Sequence, residues 1–184
     1  MIKLILFCVA VSSGVFTVSC NSESGPGLWK VNYVEISDSS DVMDIEIDQH
    51  RINRTHDGFT GRFNCKQSLT HSYGIRVEIS KLVDGGYKLN HVISEPDFID
   101  FVTKYAGDNV EFFLTSAGVD PPDFPIDAGE YKFEDFIMDY SQLPSDMPYG
   151  EYSGKLIMLQ GNMEIFSAEG FVEFAKCNDE DDDE

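Results

Sequence analysis

Four histidines, His50, His56, His71 and His91, are the side chains best placed by type to move protons or bind metal near neutral pH. None lies in a zinc-binding spacing, such as two histidines one helical turn apart beside a glutamate. No Gly-x-Ser-x-Gly elbow is present to expose a nucleophilic serine. No glycine-rich loop ends in Lys followed by Ser or Thr, the arrangement that cradles phosphate. Gly85-Gly86 reads as turn chemistry. The chain holds 33 Asp and Glu residues, so carboxylates alone mark no acid–nucleophile pair, which needs a fixed separation in a cleft. The acidic run 178–184 has the composition of a calcium ligand set but not the fixed cage that calcium affinity requires. The expectation is a non-catalytic chain with no catalytic residue, no metal site and no cofactor.

Two covalent features are predicted. Asn53-Arg54-Thr55 is an N-glycosylation acceptor, which places Asn53 at the surface. Residues 1–20 read as a secretory signal peptide: Lys3 is followed by an apolar run from Leu4 to Val11 and then by small residues. Cleavage fits after Cys20 or after Gly14. Residues 16–20 also match a loose bacterial lipoprotein pattern, in which Cys20 would be lipidated. With Cys8 removed and Cys20 at the cut, Cys65 and Cys177 remain as a pair in an oxidising compartment. A disulfide is the natural expectation, contributing about 4 kcal/mol in the chain-entropy picture. If Cys20 survives, three thiols compete and the pairing opens.

The formal net charge is −20. A field of that sign repels nucleic acid and anionic membranes. No later stretch is apolar enough to cross a bilayer.

The elements that must position these residues are mostly strands. Residues 21–27 read as a flexible leader, 28–177 as one folded domain, and 178–184 as a disordered acidic tail. Two-residue alternation runs through Lys30 to Ile36, Val42 to Ile52, and Phe59, Gly61 and Phe63 into Cys65. Ile75, Val77 and Ile79 share one face. Asp84-Gly85-Gly86 turns the chain into a hairpin, with Tyr87, Leu89, His91 and Ile93 alternating after it. Tyr131 and Phe133 share one parity and Phe136, Met138 and Tyr140 the other, which predicts a bulge at Glu134 and Asp135. Lys155 to Leu159 is a further strand, and Gln160-Gly161-Asn162 a turn. Phe166, Ala168, Gly170, Val172 and Phe174 line one face of the last strand. About eight strands suffice for a sandwich or open barrel.

One segment follows the helical period instead. Phe98, Phe101, Val102 and Tyr105 stand at i, i+3, i+4 and i+7, after Pro96 and the capping residue Asp97. A short amphipathic helix is expected, ended by Gly107. An apolar stretch, Val110 to Leu114, follows it with adjacent Phe112 and Phe113. Phe98, Phe101, Val102, Tyr105, Phe112 and Phe113 form either the cap of a filled core or the lining of an apolar pocket.

Two stretches carry a resemblance: His50 to Arg62, and Ile126 to Lys155. Asn53-Arg54-Thr55 with Gly61, Gly129-Glu130-Tyr131, Leu143-Pro144 and Pro148-Tyr149-Gly150 occur in the order and spacing of a large insect family of secreted proteins. That family is similar to the GM2-activator and MD-2-related lipid-recognition proteins, and the likeness spans residues 29–174. The resemblance implies a mainly β fold: an antiparallel β-sandwich opened as a β-cup, with the short helix over its mouth. It implies a secreted, extracellular protein that binds a lipid or long-chain hydrocarbon without transforming it. The role would be carriage, presentation or chemosensation, with a protein receptor or partner enzyme as a further partner. Two cysteines frequent in the family are missing here, where Phe98, Ile99 and Phe124 stand, and Tyr152 replaces the usual Trp. Lys104 and Tyr105 are candidates to orient a head group. The competing expectation is a secreted protein-interaction domain, an immune or receptor co-factor, with a closed core and no small ligand.

Overall fold

Alternating apolar residues, interrupted once by a helical period, build a two-layer β-sandwich. The computed structural model describes residues 27–36, 40–52, 57–137 and 147–176. Its elements are β1 (Gly27–Ile36), β2 (Met43–Arg51), β3 (Asp57–Cys65), β4 (Gly74–Val83), β5 (Gly86–Glu95), α1 (Phe98–Ser116), β6 (Gly129–Ile137), β7 (Gly150–Gln160) and β8 (Met163–Lys176). Five strands form one sheet in the order β1-β8-β7-β4-β5, and three form the other in the order β2-β3-β6. Every pairing is antiparallel. This is the mainly β antiparallel sandwich that the alternation predicts. Residues 1–26, read as signal peptide and leader, Asn53, Cys177 and the acidic run 178–184 lie outside the described residues. Gly27, read as the end of the leader, already belongs to β1.

The turns obey their local chemistry. Val83 pairs with Gly86 across Asp84 and Gly85, and both turn residues have positive φ, 52° and 79°. That is the hairpin geometry whose twist matches the strands it joins. The bulge foreseen in β6 is present: Phe59 pairs with Phe136, but Gly61 pairs with Phe133. Asp135 takes φ 50° and its N–H donates to Thr60 Oγ1 at 3.1 Å. The extra residue turns Phe133 and Phe136 to the same interior, so both are buried.

A second bulge revises the reading of β5. Ile79 pairs with His91, but Ser80 pairs with Leu89, which leaves Asn90 as the extra residue. The parity therefore slips mid-strand. Ile93 packs on the core while Tyr87 and Leu89 face outward, exposed.

The helix is longer than expected. It spans 19 residues, runs through Gly107 and absorbs the apolar stretch Val110 to Leu114. Val110, Phe113 and Leu114 continue the stripe begun by Phe98, Phe101 and Val102, and all are buried in one core. A helical glycine costs about 1 kcal/mol relative to alanine, less than burying one large apolar side chain contributes. Asp97 caps the start, its Oδ1 accepting from the Ile99 and Asp100 amides at 2.8 and 3.1 Å. Gly118, with φ 73°, takes the left-handed position beyond the end, where glycine is favoured.

Candidate functional site

The aromatic cluster read from the sequence is split by the helix. Phe98, Phe101, Val102 and Phe113 are 0–1% exposed, Tyr105 is half-buried, and Phe112 is 59% exposed. Phe113 meets Phe63, Phe133 and Phe136 with ring centroids 5.9, 4.9 and 5.3 Å apart. These three rings belong to β3 and β6. α1 also packs against β4 of the other sheet, and Phe98 N–H donates to Tyr73 O at 2.7 Å. The helix thus closes one flank of the sandwich by joining both sheets to one core. Phe112 stays largely in solvent, with its ring centroid 5.5 Å from that of buried Phe136. Lys104 Nζ sits 4.6 Å over the Tyr105 ring, so these two side chains are engaged with each other. One polar group interrupts the packing: Asn109 Nδ2 on α1 is buried without a hydrogen-bond partner.

The opposite flank is closed differently. Here β1 and β2, the edge strands of the two sheets, face each other. Gln49 Nε2 donates to Val31 O at 3.1 Å across the gap. Val34 and Ile36 of β1, with Ile45 and Ile47 of β2, pack on the core yet are only half-buried. One groove lies between these two edge strands, and a second lies beside β2, lined from β2, β3 and β8 with no residue of β1. The first, about 420 Å³, is lined by Val34, Ile47 and Phe59 with Gln49, His50 and Arg51 among its polar residues. The second, about 330 Å³, is lined by Met43, Ile45 and Phe166 with Asp44, Glu46, Arg62 and Asn64. Each pairs apolar residues with charged ones, the arrangement suited to a long apolar chain with a polar end. A third groove, about 490 Å³, lies between α1 and the Pro122–Phe124 loop and carries Glu111 and Asp123 beside Val110 and Leu114. It draws no residue from either sheet.

The charges beside the seam are held in place. Arg62 reaches Glu46 at 2.7 Å and Glu130 at 3.7 Å, and Lys132 reaches Glu130 at 2.9 Å. The hydrogen bond and charge of Arg62 hold the Glu46 carboxyl below the usual range. Lys132 does the same for Glu130. His50 Nε2 lies 2.8 Å from Asp135 Oδ1 at the bulge.

Cys65 is a buried free thiol between Met43 and Gly129 in the three-stranded sheet. Burial pushes its pKa up to about 12. Its expected disulfide partner, Cys177, lies outside the described residues.

Among the described residues one cluster has the composition of metal ligands: His71, Asp97 and Asp100 at the start of α1. Its geometry already has a structural use. Asp97 Oδ1 is committed to two helix amides and Oδ2 lies 2.7 Å from His71 Nδ1. Desolvation raises the Asp97 pKa, but the Asp100 amide, His71 and the Ile99 amide outweigh it and hold it below the usual carboxylate range. The positive end of the helix opposes a cation here.

No protein-family model and no curated protein matches this chain.

The seam was not legible as a site from the sequence. Val34, Ile36, Ile45 and Ile47 read only as the apolar face of two strands. That both strands lie at sheet edges depends on pairing order, which local alternation does not encode.

Proposed function

We propose that this chain is a secreted, non-catalytic carrier or presenter of a hydrophobic molecule, a lipid or long-chain hydrocarbon, which it takes up at the β1–β2 seam. The observation that supports this reading is the groove of about 420 Å³ between the two sheet edges, where Val34 and Ile47 are half-buried, with a second groove of about 330 Å³ beside β2. An apolar chain laid against Val34, Ile45 and Ile47 gains about 0.8 kcal/mol per methylene removed from water. Parting the edges costs little backbone pairing, because the two sheets share no strand. The order of motifs shared with the lipid-recognition family supports the same reading, as does a field that keeps the protein off anionic surfaces.

The test is native mass spectrometry of the protein secreted from insect cells, then organic extraction and uptake of fatty acids, glycolipids and long hydrocarbons. Ile47→Asp should abolish the co-purifying or added ligand while the circular-dichroism spectrum stays unchanged. Uptake that survives Ile47→Asp and Val34→Asp would move the site away from the seam. A protein that takes up nothing would favour a protein-interaction domain with a filled core. That second reading draws on the complete burial of Phe98, Phe101, Val102 and Phe113 beneath the helix.

A further inference from the structure

The outer face of the five-stranded sheet has a composition unlike its counterpart on the other sheet. By register, Tyr33 of β1 stands beside Phe171 of β8, Phe171 beside Ser153 of β7, Ser153 beside Ser80 of β4, and Ser80 beside Leu89 of β5. Tyr33 stacks on Phe171 at 4.3 Å and 16°. Tyr87 of β5 meets the same ring edge-on at 5.3 Å. Rings from both edge strands, β1 and β5, therefore meet on Phe171 of β8. Tyr33, Tyr87 and Leu89 are nonetheless 49, 37 and 60% exposed.

Carboxylates border this platform on both sides. Glu35 and Glu169 occupy the neighbouring row in one direction, and Glu151 and Glu173 in the other. Burial, and after it the nearby charges of Glu151 and Glu169, push the Tyr87 phenol above its usual range. Lys155 and Lys30 stand across from Glu169 and Glu173 in register. Among the described residues none of these four glutamates closes an ion pair. Beneath the rings, Ser153 Oγ is buried with no hydrogen-bond partner. The three-stranded sheet's outer face is the contrast. There Glu46, Glu130 and Asp44 are matched by Arg62, Lys132 and Lys66 at 2.7 to 3.0 Å.

We propose that this aromatic platform is a docking surface for a basic protein segment, one that alternates arginine with apolar side chains. Guanidinium groups stack on aromatic faces and pair with carboxylates in a planar fork, and both partners are present here on one face. Charge complementarity selects this occupant over a second copy, since two chains of net charge −20 would bring glutamates against glutamates. It selects it over an anionic membrane for the same reason. The platform adjoins the seam through Tyr33, which also lines the 420 Å³ groove; the variants that test the platform are therefore placed at Tyr87, Glu151 and Glu169, which line neither seam groove.

The test uses the full secreted chain and a fluorescent arginine–leucine repeat peptide, with a glutamate–leucine repeat as the control. Binding is read by anisotropy at physiological salt. Tyr87→Ser, and separately Glu151→Gln with Glu169→Gln, should each weaken the arginine peptide about tenfold. Glu130→Gln with Glu134→Gln, on β6 of the other sheet, removes the same charge and should leave affinity within about twofold. Circular dichroism and thermal melts confirm that each variant is folded. Equal losses from both faces would reduce the effect to bulk charge and overturn the proposal. So would absent binding, or tighter association with phosphatidylserine vesicles than with the peptide.

Discussion

The two flanks of the sandwich do the same job with different materials. On one, a 19-residue helix lays Phe98, Phe101, Val102 and Phe113 into the core and ties both sheets together. On the other, β1 and β2 meet edge to edge, linked by the Gln49 side chain, and leave Val34, Ile36, Ile45 and Ile47 half in water. Residues at the first flank are committed to stability. Residues at the second keep apolar surface unspent beside the core, which is what the proposed uptake would draw on. An aromatic-rich helix is therefore a poor guide to a pocket when its rings are already paired.

Phe113→Ala is the strongest way to break this contrast. It should cost about 3–5 kcal/mol in urea denaturation, because three facing rings lose their partner. A loss near 1 kcal/mol would mean the helix flank is as loose as the seam. Ile47→Ala should cost about 1 kcal/mol, since the side chain is only half withdrawn from water, but should reduce ligand uptake more than any helix substitution. Asp97→Ala should cost about 1 kcal/mol through the lost helix cap. The pH dependence follows from its lowered folded-state pKa. The contribution is full above the unfolded carboxylate value, about 4, and is lost as pH falls through the lower folded value. Wild-type and Asp97→Ala stability curves should therefore converge in acid and separate towards neutrality. Phe112→Ala should be the mildest, within about 0.5 kcal/mol. A large effect there would show that the exposed ring carries packing its surroundings do not reveal.

Much of the sandwich is readable in the sequence because strands advertise their faces. Ile75, Val77 and Ile79, and Phe166 through Phe174, announce a buried face by alternation alone. The parity change between Phe133 and Phe136 announces a bulge. The helix runs on through Gly107 although glycine is a plausible terminator by local preference. The stripe resumed at Val110, Phe113 and Leu114 outweighs it only once the sheets are there to receive those side chains. Asn90 was invisible for a similar reason: an extra residue in β5 becomes apparent only against its partner β4. Which apolar residues stand at a sheet edge depends on strand order, and so the seam and the aromatic platform both emerge from the topology.

Gly27 and Lys176 lie side by side, the first and last residues of two antiparallel neighbours. A pull applied through the chain before β1 and after β8 therefore loads one corner of the sheet. It peels β1 from β8 one hydrogen bond at a time and does not shear the whole ladder at once. The fold should yield at low force when tethered by its ends, although its interior is well packed. For the same reason, a short linker could join those ends and new termini could be opened at the Asp84–Gly85 turn, with the sandwich kept intact.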